Sequence, residues 1–377
     1  MPPIRIVHTA DNHLGLQFAS RRYPESLRRR LIDERFEALE RVVAIATGRG
    51  AHLLVVAGDL FDSVGVAKRD IERAAAILRS FGGIYLIVLP GNHDFFEPGE
   101  AKLWGKFRHA MGDHGVLLLD RPEPVRLSIE DRDIVLYPGP CTSKTSTENA
   151  IGWIGAVTKE PGAVHIGIAH GCVKGISPEG DDRYYTMTEE ELRTSGIDFW
   201  LLGHTHIRFP REERGEGPLF LFPSTHSPDG FDCDHEGYLW SISVDDDKRI
   251  SMESVRTGEF RFHTWSRLLT ETTDLDRIEK ECAALPGSKT LLKLALQGRL
   301  AEEEFPAIER LRLRLNEMLA YVELDTEDVA IKIDKEYIEK HYSTGSLPSR
   351  LLLSLAGSRD DDLALHLAHE LIREAKR

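Results

Sequence analysis

Five apolar runs in this sequence end in polar clusters, and that repetition limits the fold more than any bulk property does. The most telling run is Tyr85-Leu86-Ile87-Val88-Leu89, followed by Pro90-Gly91 and then Asn92-His93-Asp94. An apolar run closed by turn residues predicts a buried strand ending in a tight turn. An amide, an imidazole and a carboxylate placed where a core strand surfaces are poor core material. They suit metal binding and proton transfer; taken alone, the motif reads equally well as a polar loop.

The other runs repeat the pattern. Ile4–Thr9 leads into Ala10-Asp11-Asn12-His13-Leu14-Gly15. Asp11 and His13 flank one residue, so in an extended segment their side chains point the same way. His52–Ala57 leads into Gly58-Asp59-Leu60-Phe61-Asp62, Val164–Ala169 into His170-Gly171, and Asp198–Leu202 into Gly203-His204-Thr205-His206. One histidine at a strand end is usually structural; five such clusters are a pattern. Leu31, Phe36, Leu39, Val42, Val43 and Ala46 recur at helical spacing, and a second helix is expected from about Lys68 to Phe81. Strand, helix, strand, helix, strand is an α/β layered sheet, and such sheets place ligands at the carboxyl ends of their strands.

Downstream, a helix is expected from Ala101 to Met111. Strands follow at Val116–Leu119, Val125–Ile129 and Asp133–Tyr137, the last broken by Pro138-Gly139-Pro140, and then a helix over 145–157. Further β segments are Leu219–Phe222, Gly237–Val244 and Ile250–Arg256. His226 and His235, in the loop Pro223 to Glu236, are read as non-ligands. The basic run Arg21, Arg22, Arg28, Arg29, Arg30 is a solvated helix face or, alternatively, a phosphate-tracking strip. Near Phe260 the character changes. The expected division is 1–260, then an α+β unit over 261–335 with helices at 274–284 and 302–319 and strands at 291–296, 320–323 and 329–333. A helical, charged segment over 336–377 completes it. Leu363, Leu365, Leu367, Leu371 and Ile372 leave apolar surface on the last helix, read as docking on its own domain, with a partner helix as the alternative.

Bulk properties exclude little. No apolar run approaches the roughly 20 residues of a membrane helix, no signal peptide precedes the first strand, and the four cysteines form no CxxC pair. The expectation is a cytoplasmic protein without disulfides. The formal net charge of −14 argues mildly against nonspecific nucleic-acid affinity.

The candidate ligands are Asp11, His13, Asp59, Asn92, His170, His204 and His206, a mixed oxygen and nitrogen set without thiolate. Such donors suit manganese, iron or zinc. Seven are too many for one ion of ordinary geometry and fit two ions sharing a carboxylate. A two-ion site stabilises both the attacking and the leaving oxygen of an in-line displacement at phosphorus.

In this order, D-x-H, G-D-x-x-D, G-N-H-D, H-G and G-H-x-H resemble the calcineurin-like metallophosphoesterases. Within that superfamily, Asp11-Asn12-His13-Leu14-Gly15 and Gly58-Asp59-Leu60-Phe61-Asp62 look like the Mre11/SbcD DNA-repair nucleases. The resemblance implies a four-layer α/β/β/α sandwich with a smaller C-terminal α+β capping domain at 261–335. It implies two divalent cations, Mn²⁺ foremost with Fe or Zn as alternatives. Asp11, His13 and His206 would hold the first, Asn92, His170 and His204 the second, and Asp59 would bridge. His93 would face the scissile phosphate and protonate the leaving oxygen as general acid, and Asp62 would accept a hydrogen bond from His93. Asp94 would be structural. The implied activity is DNA exonuclease, with single-strand endonuclease as a second capacity. The implied partners are DNA, a Rad50/SbcC-type ATPase at the C-terminal helices, and a second copy in a homodimer. Two other readings use the same residues: a metallophosphoesterase for small phosphodiesters or phosphomonoesters, and a non-catalytic scaffold keeping a structural metal.

Overall fold

A computed structural model describes residues 2–178, 183–212, 217–233, 235–356 and 362–375. The chain divides into two compact units between Arg261 and Phe262.

The first unit opens with β1 (Ile4–Thr9), α1 (Glu25–Gly48), β2 (Leu53–Ala57), α2 (Lys68–Leu78), β3 (Tyr85–Leu89), α3 (Leu103–Met111) and β4 (Val116–Leu118). It continues with β5 (Val125–Ile129), β6 (Arg132–Gly139), β7 (Val164–His170), α4 (Glu189–Thr194), β8 (Phe199–Gly203), β9 (Arg208–Phe209), β10 (Phe220–Pro223), β11 (Tyr238–Val244) and β12 (Ile250–Arg256). These strands form two six-stranded sheets, ordered β12-β11-β1-β2-β3-β4 and β5-β6-β7-β8-β10-β9. β1 through β4 run parallel, as do β6, β7, β8 and β10.

Side-chain alternation builds the layers. Leu53, Val55 and Ala57 face a core shared with Ile166, Ile168, Phe199 and Leu201 of the other sheet. Leu54 and Val56 face Phe36, Leu39, Ile71, Ala74 and Phe107 of α1, α2 and α3. Both faces of β2 are therefore buried, which is why the strand reads as an unbroken apolar run. On the far side of the second sheet, Tyr137, Ala169, Trp200 and Leu202 meet Ile154 and Leu192. The result is an α/β/β/α sandwich whose fourth layer is thin, a single 3₁₀ turn at Gly152–Ala156 and the short α4.

That turn corrects the helix expected over 145–157. Ser146 Oγ and Asn149 Oδ1 bind the nearby backbone amides of Glu148 and Ile151, and such local bonds compete with a helical ladder. Pro138 does not end its strand, because β6 continues through Gly139 paired to β7. Its pairing with β5 has stopped at Leu136, so the missing proline donor leaves no gap in that ladder.

The second unit has β13 (Arg261–Leu269), α5 (Thr273–Ala283), β14 (Thr290–Leu300), α6 (Phe305–Met318) and β15 (Tyr321–Ile331). The two short strands expected at 320–323 and 329–333 are one strand, kept whole by a register shift opposite Ala295/Gln297 of β14. Leu275, Ile278, Leu311 and Leu315 pack on Leu292 and Leu294 in its core. The helices α7 (Lys335–His341), α8 (Leu347–Ala356) and α9 (Asp362–Ala375) follow. Leu365 is buried with Ile338 and Leu352, and Ala368 and Ile372 pack against them. Leu363, Leu367 and Leu371 are exposed. Among the described residues no helix is long and apolar enough to cross a membrane.

His8 lies between the sheets, opposite Val55 and Trp240. It is fully buried, and burial, only partly offset by the Leu202 backbone, pushes its pKa down to about 3. An unfolded histidine titrates near 6.5, so below that pH the unfolded chain binds a proton that the native chain refuses. Native stability should therefore fall as pH drops from about 6.5 towards 3, by on the order of 2 kcal/mol between pH 7 and 5. Urea unfolding of His8→Leu should show that much less loss over the same interval; an unchanged pH slope would remove His8 as the cause.

Candidate metal centre

All the strand tips named above meet at one end of the two sheets. The β1 and β2 tips are stitched together beyond their strands: Asp11 N donates to Gly58 O (3.1 Å), His13 N to Asp59 O (2.9 Å) and Leu14 N to Leu60 O (2.9 Å). Asp94 joins the β3 tip to them. Its Oδ1 accepts from Gly91 N (2.7 Å) and its Oδ2 from Phe61 N (3.0 Å). Burial and then the nearby Asp59 charge raise the Asp94 carboxyl to about 7. Gly91 is needed for closeness: a Cβ there would lie 2.2 Å from Asp59 Oδ1. Four cluster residues take left-handed backbone conformations, Asp11 (φ 53°), His13 (42°), Asp59 (51°) and His204 (99°). Non-glycine residues are held that way only where their surroundings over-determine them, commonly at functional sites.

The cluster has two lobes. In one, Asn92 Oδ1 stands 3.0 Å from both His170 Nε2 and His204 Nδ1, and Asp59 Oδ2 is 3.2 Å from His170 Nε2. Asn92 Nδ2 donates to Lys144 O (3.3 Å), which turns the amide oxygen inward. His170 Nδ1 sits 3.0 Å from Ala57 O; donating there, it leaves Nε2 facing the lobe. In the other lobe His13 Nε2 is 3.2 Å from His206 Nε2. His206 Nε2 is 4.0 Å from Asp11 Oδ1, and Asp59 Oδ2 is 3.6 Å from His13 Nε2. Asp59 Oδ2 thus faces both lobes, while its Oδ1 accepts from His93 N (2.8 Å).

These residues fit cations. Ligands about 2.1 Å from one ion stand roughly 3.0–3.4 Å from each other, the spacing of the Asn92 lobe and of the His13–His206 pair, while the carboxylate contacts of the second lobe are wider at 3.6 and 4.0 Å. Asp11 is buried, and its Oδ2 has no hydrogen-bond partner; an acceptor in that state calls for a positive charge. Burial opposes ionisation of Asp59, but His170, then His13 and His93, outweigh it and hold the carboxyl well below its usual range. Burial likewise disfavours a charged His170, yet the Asp59 charge and hydrogen bond push it up to about 9. Without a hydrogen-bonding carboxylate, burial lowers His204 to about 3.

His93 and Asp62 sit beside the lobes. His93 Nδ1 is 3.1 Å from the Asp62 main-chain carbonyl, and its ring packs edge-on to His13. The expected bond from His93 to the Asp62 carboxylate is absent; that carboxylate points to His13, with Oδ1 3.6 Å from Nδ1. The turn at the β2 tip presents the backbone oxygen to one histidine and the side chain to the other. Burial holds His93 below the ordinary imidazole range.

The sequence reading missed Arg35 and Asp229. Arg35 is fully buried. Its Nε donates to Asn12 O (2.7 Å), Nη2 to Asp11 O (3.1 Å) and Nη1 to Ser227 O (3.0 Å). The available signal was its spacing, four residues from both Leu31 and Leu39 on the apolar face of α1. Asp229 sits near His206 with no periodic signal around it. His226 is buried with Nε2 2.7 Å from Arg35 O, a structural bond away from the lobes.

The sequence profile of the calcineurin-like phosphoesterases matches residues 4–208, more than half of the chain and every residue of both lobes. The chain belongs to this family. This phosphoesterase is 27% identical over 313 residues to the uncharacterized metallophosphoesterase YhaO of Bacillus subtilis, covering 79% of this chain and 73% of that one. It is 24% identical over 344 residues to the DNA double-strand break repair protein Mre11 of Methanopyrus kandleri, covering 89% and 68%. The Mre11 protein of Methanosarcina mazei is 31% identical over 140 residues, 34% of this chain and 22% of that one. Membership makes the protein a hydrolase of phosphate esters that uses divalent metal ions, and the lobes are where this phosphoesterase would hold them.

Replacing Gly91 by alanine should drive Asp59 out of position without breaking a strand. Ligand that binds only the native state raises its melting temperature. Saturating Mn²⁺ should therefore raise the melting temperature of the wild type but not of Gly91→Ala, with far-ultraviolet dichroism unchanged. Equal shifts in both would show that the close approach at Gly91 is dispensable.

Proposed function

We propose that this phosphoesterase is a two-cation DNA nuclease of the Mre11/SbcD type, acting as an exonuclease and on single strands as an endonuclease. The observation that carries the reading is the single Asp59 oxygen set between the lobes, 3.2 Å from His170 Nε2 and 3.6 Å from His13 Nε2. Two cations bound there supply a nucleophile from water near neutral pH and stabilise the charge on the attacking and leaving oxygens. Asp11, His13 and His206 would hold one, Asn92, His170 and His204 the other, and Asp59 would serve both. Mn²⁺ is the proposed ion, with Fe or Zn as alternatives.

His93 does the proton work in this reading. With Nδ1 turned to the Asp62 carbonyl, Nε2 is the nitrogen left for a phosphodiester. An anionic phosphate against it favours the protonated ring, so His93 can orient the phosphate and give its proton to the leaving oxygen. Asp62 steadies His93 through its carbonyl and His13 through its carboxylate.

DNA as substrate is supported by the relatives named Mre11 and by the Asp11–Gly15 and Gly58–Asp62 motifs. In this reading the second unit helps choose DNA substrates, and the exposed leucines of α9 face an ATPase partner of the Rad50/SbcC type. The nuclease would work in the cytoplasm, as a homodimer. One observation favours a second reading. The net charge of −14 disfavours a polyanion and suits small phosphodiesters or phosphomonoesters, which the same residues would hydrolyse.

The test is hydrolysis of a labelled DNA hairpin and of bis(p-nitrophenyl) phosphate, each with Mn²⁺ and with EDTA. Metal-dependent shortening of the hairpin is expected, with a loss of 10²–10⁴-fold in His93→Ala, the usual reach of acid–base catalysis. Dye release with intact DNA would move the substrate to small esters. Inactivity on both, with Mn²⁺ bound, would leave the scaffold reading.

A further inference from the structure

We propose that Asp229 is a positioning residue for His206, anchored by Arg35, and that it governs one of the two cation lobes. The inference rests on the metal-site reading but not on the choice of substrate.

His206 is the most loosely held of the cluster imidazoles. Its side chain is 38% exposed, while His170 is buried and tied to Ala57 O. A ligating imidazole needs an outer partner to fix its tautomer and ring plane. His206 turns Nε2 towards His13 and Asp11 and presents Nδ1 to Asp229 Oδ2, 3.8 Å away. At that separation the carboxylate attracts a proton carried on Nδ1, which favours the tautomer that leaves Nε2 for a cation.

Asp229 is itself held in place. Its side chain is 14% exposed, with Oδ2 3.7 Å from Arg35 Nη1. Its Oδ1 accepts from Cys233 Sγ at 3.0 Å.

Arg35 links the pieces. One guanidinium binds the carbonyls of Asp11 and Asn12 on the β1 tip and that of Ser227 on the loop that carries Asp229. The two segments that flank this lobe therefore share one anchor.

The experiment is Mn²⁺ binding to metal-free protein, by calorimetry and electron paramagnetic resonance, in wild type, Asp229→Asn, Asp229→Glu, His206→Ala and the Asp229→Asn/His206→Ala double variant. Outer-shell substitutions typically cost 10–100-fold in metal affinity. Asp229→Asn should weaken one of two Mn²⁺ sites by that factor and leave the other unchanged, and Asp229→Glu should recover part of it. In the double variant Asp229→Asn should add nothing to His206→Ala, because both changes remove the same interaction. Two wild-type affinities in Asp229→Asn, or a further loss in the double variant, would overturn the proposal. Wild-type protein that binds no Mn²⁺ would overturn it together with the metal-site reading.

Discussion

The structure depends on one carboxylate that serves two groups at once. Asp59 carries a backbone amide on one oxygen and turns the other to histidines of both lobes. A buried carboxylate is costly unless it is paired and hydrogen-bonded. Here His170, from the second sheet, stands 3.2 Å from it, so the carboxylate that one sheet buries meets its partner on the other. The two sheets must close on each other for the cluster to exist, and the cluster's charges favour that closure.

Holding such groups at about 3 Å requires a backbone that an ordinary strand end does not supply. Asp11, His13, Asp59 and His204 sit at positive φ, and Gly91 gives the space that a methyl group would fill. Around this shell lies a neutral one. The carbonyls of Ala57, Lys144 and Asp62 orient His170, Asn92 and His93. Backbone oxygens of β2 and its tip, and of the loop after β6, thus aim the side chains, and the site and the fold share their hydrogen bonds.

The second unit follows a different logic. Its three-stranded sheet is covered by α5 and α6, and its last helices hold a small core around Ile338, Leu352 and Leu365. That core takes one face of α9 and leaves Leu363, Leu367 and Leu371 exposed at four-residue intervals. Side chains at that interval share a helix face, so the exposure is one stripe rather than scattered residues.

The sandwich and the strand-tip placement of the cluster were legible because both have short-range signals. Strands buried on two faces read as apolar runs, and polar residues directly after them mark their ends. Where side chains compete with local backbone, as Ser146 and Asn149 do, periodicity over 145–157 misled. The sequence by itself determined which residues stand at the tips: Asp11, His13, Asp59, Asn92, His93, His170, His204 and His206. The tertiary structure decided which atom each one turns inward, that Asp62 meets His13 by its carboxylate and His93 by its carbonyl, and that Arg35 and Asp229 belong beside them. Those outcomes rest on contacts between residues up to 195 positions apart, and no local pattern encodes a distance that only the packing of two sheets creates.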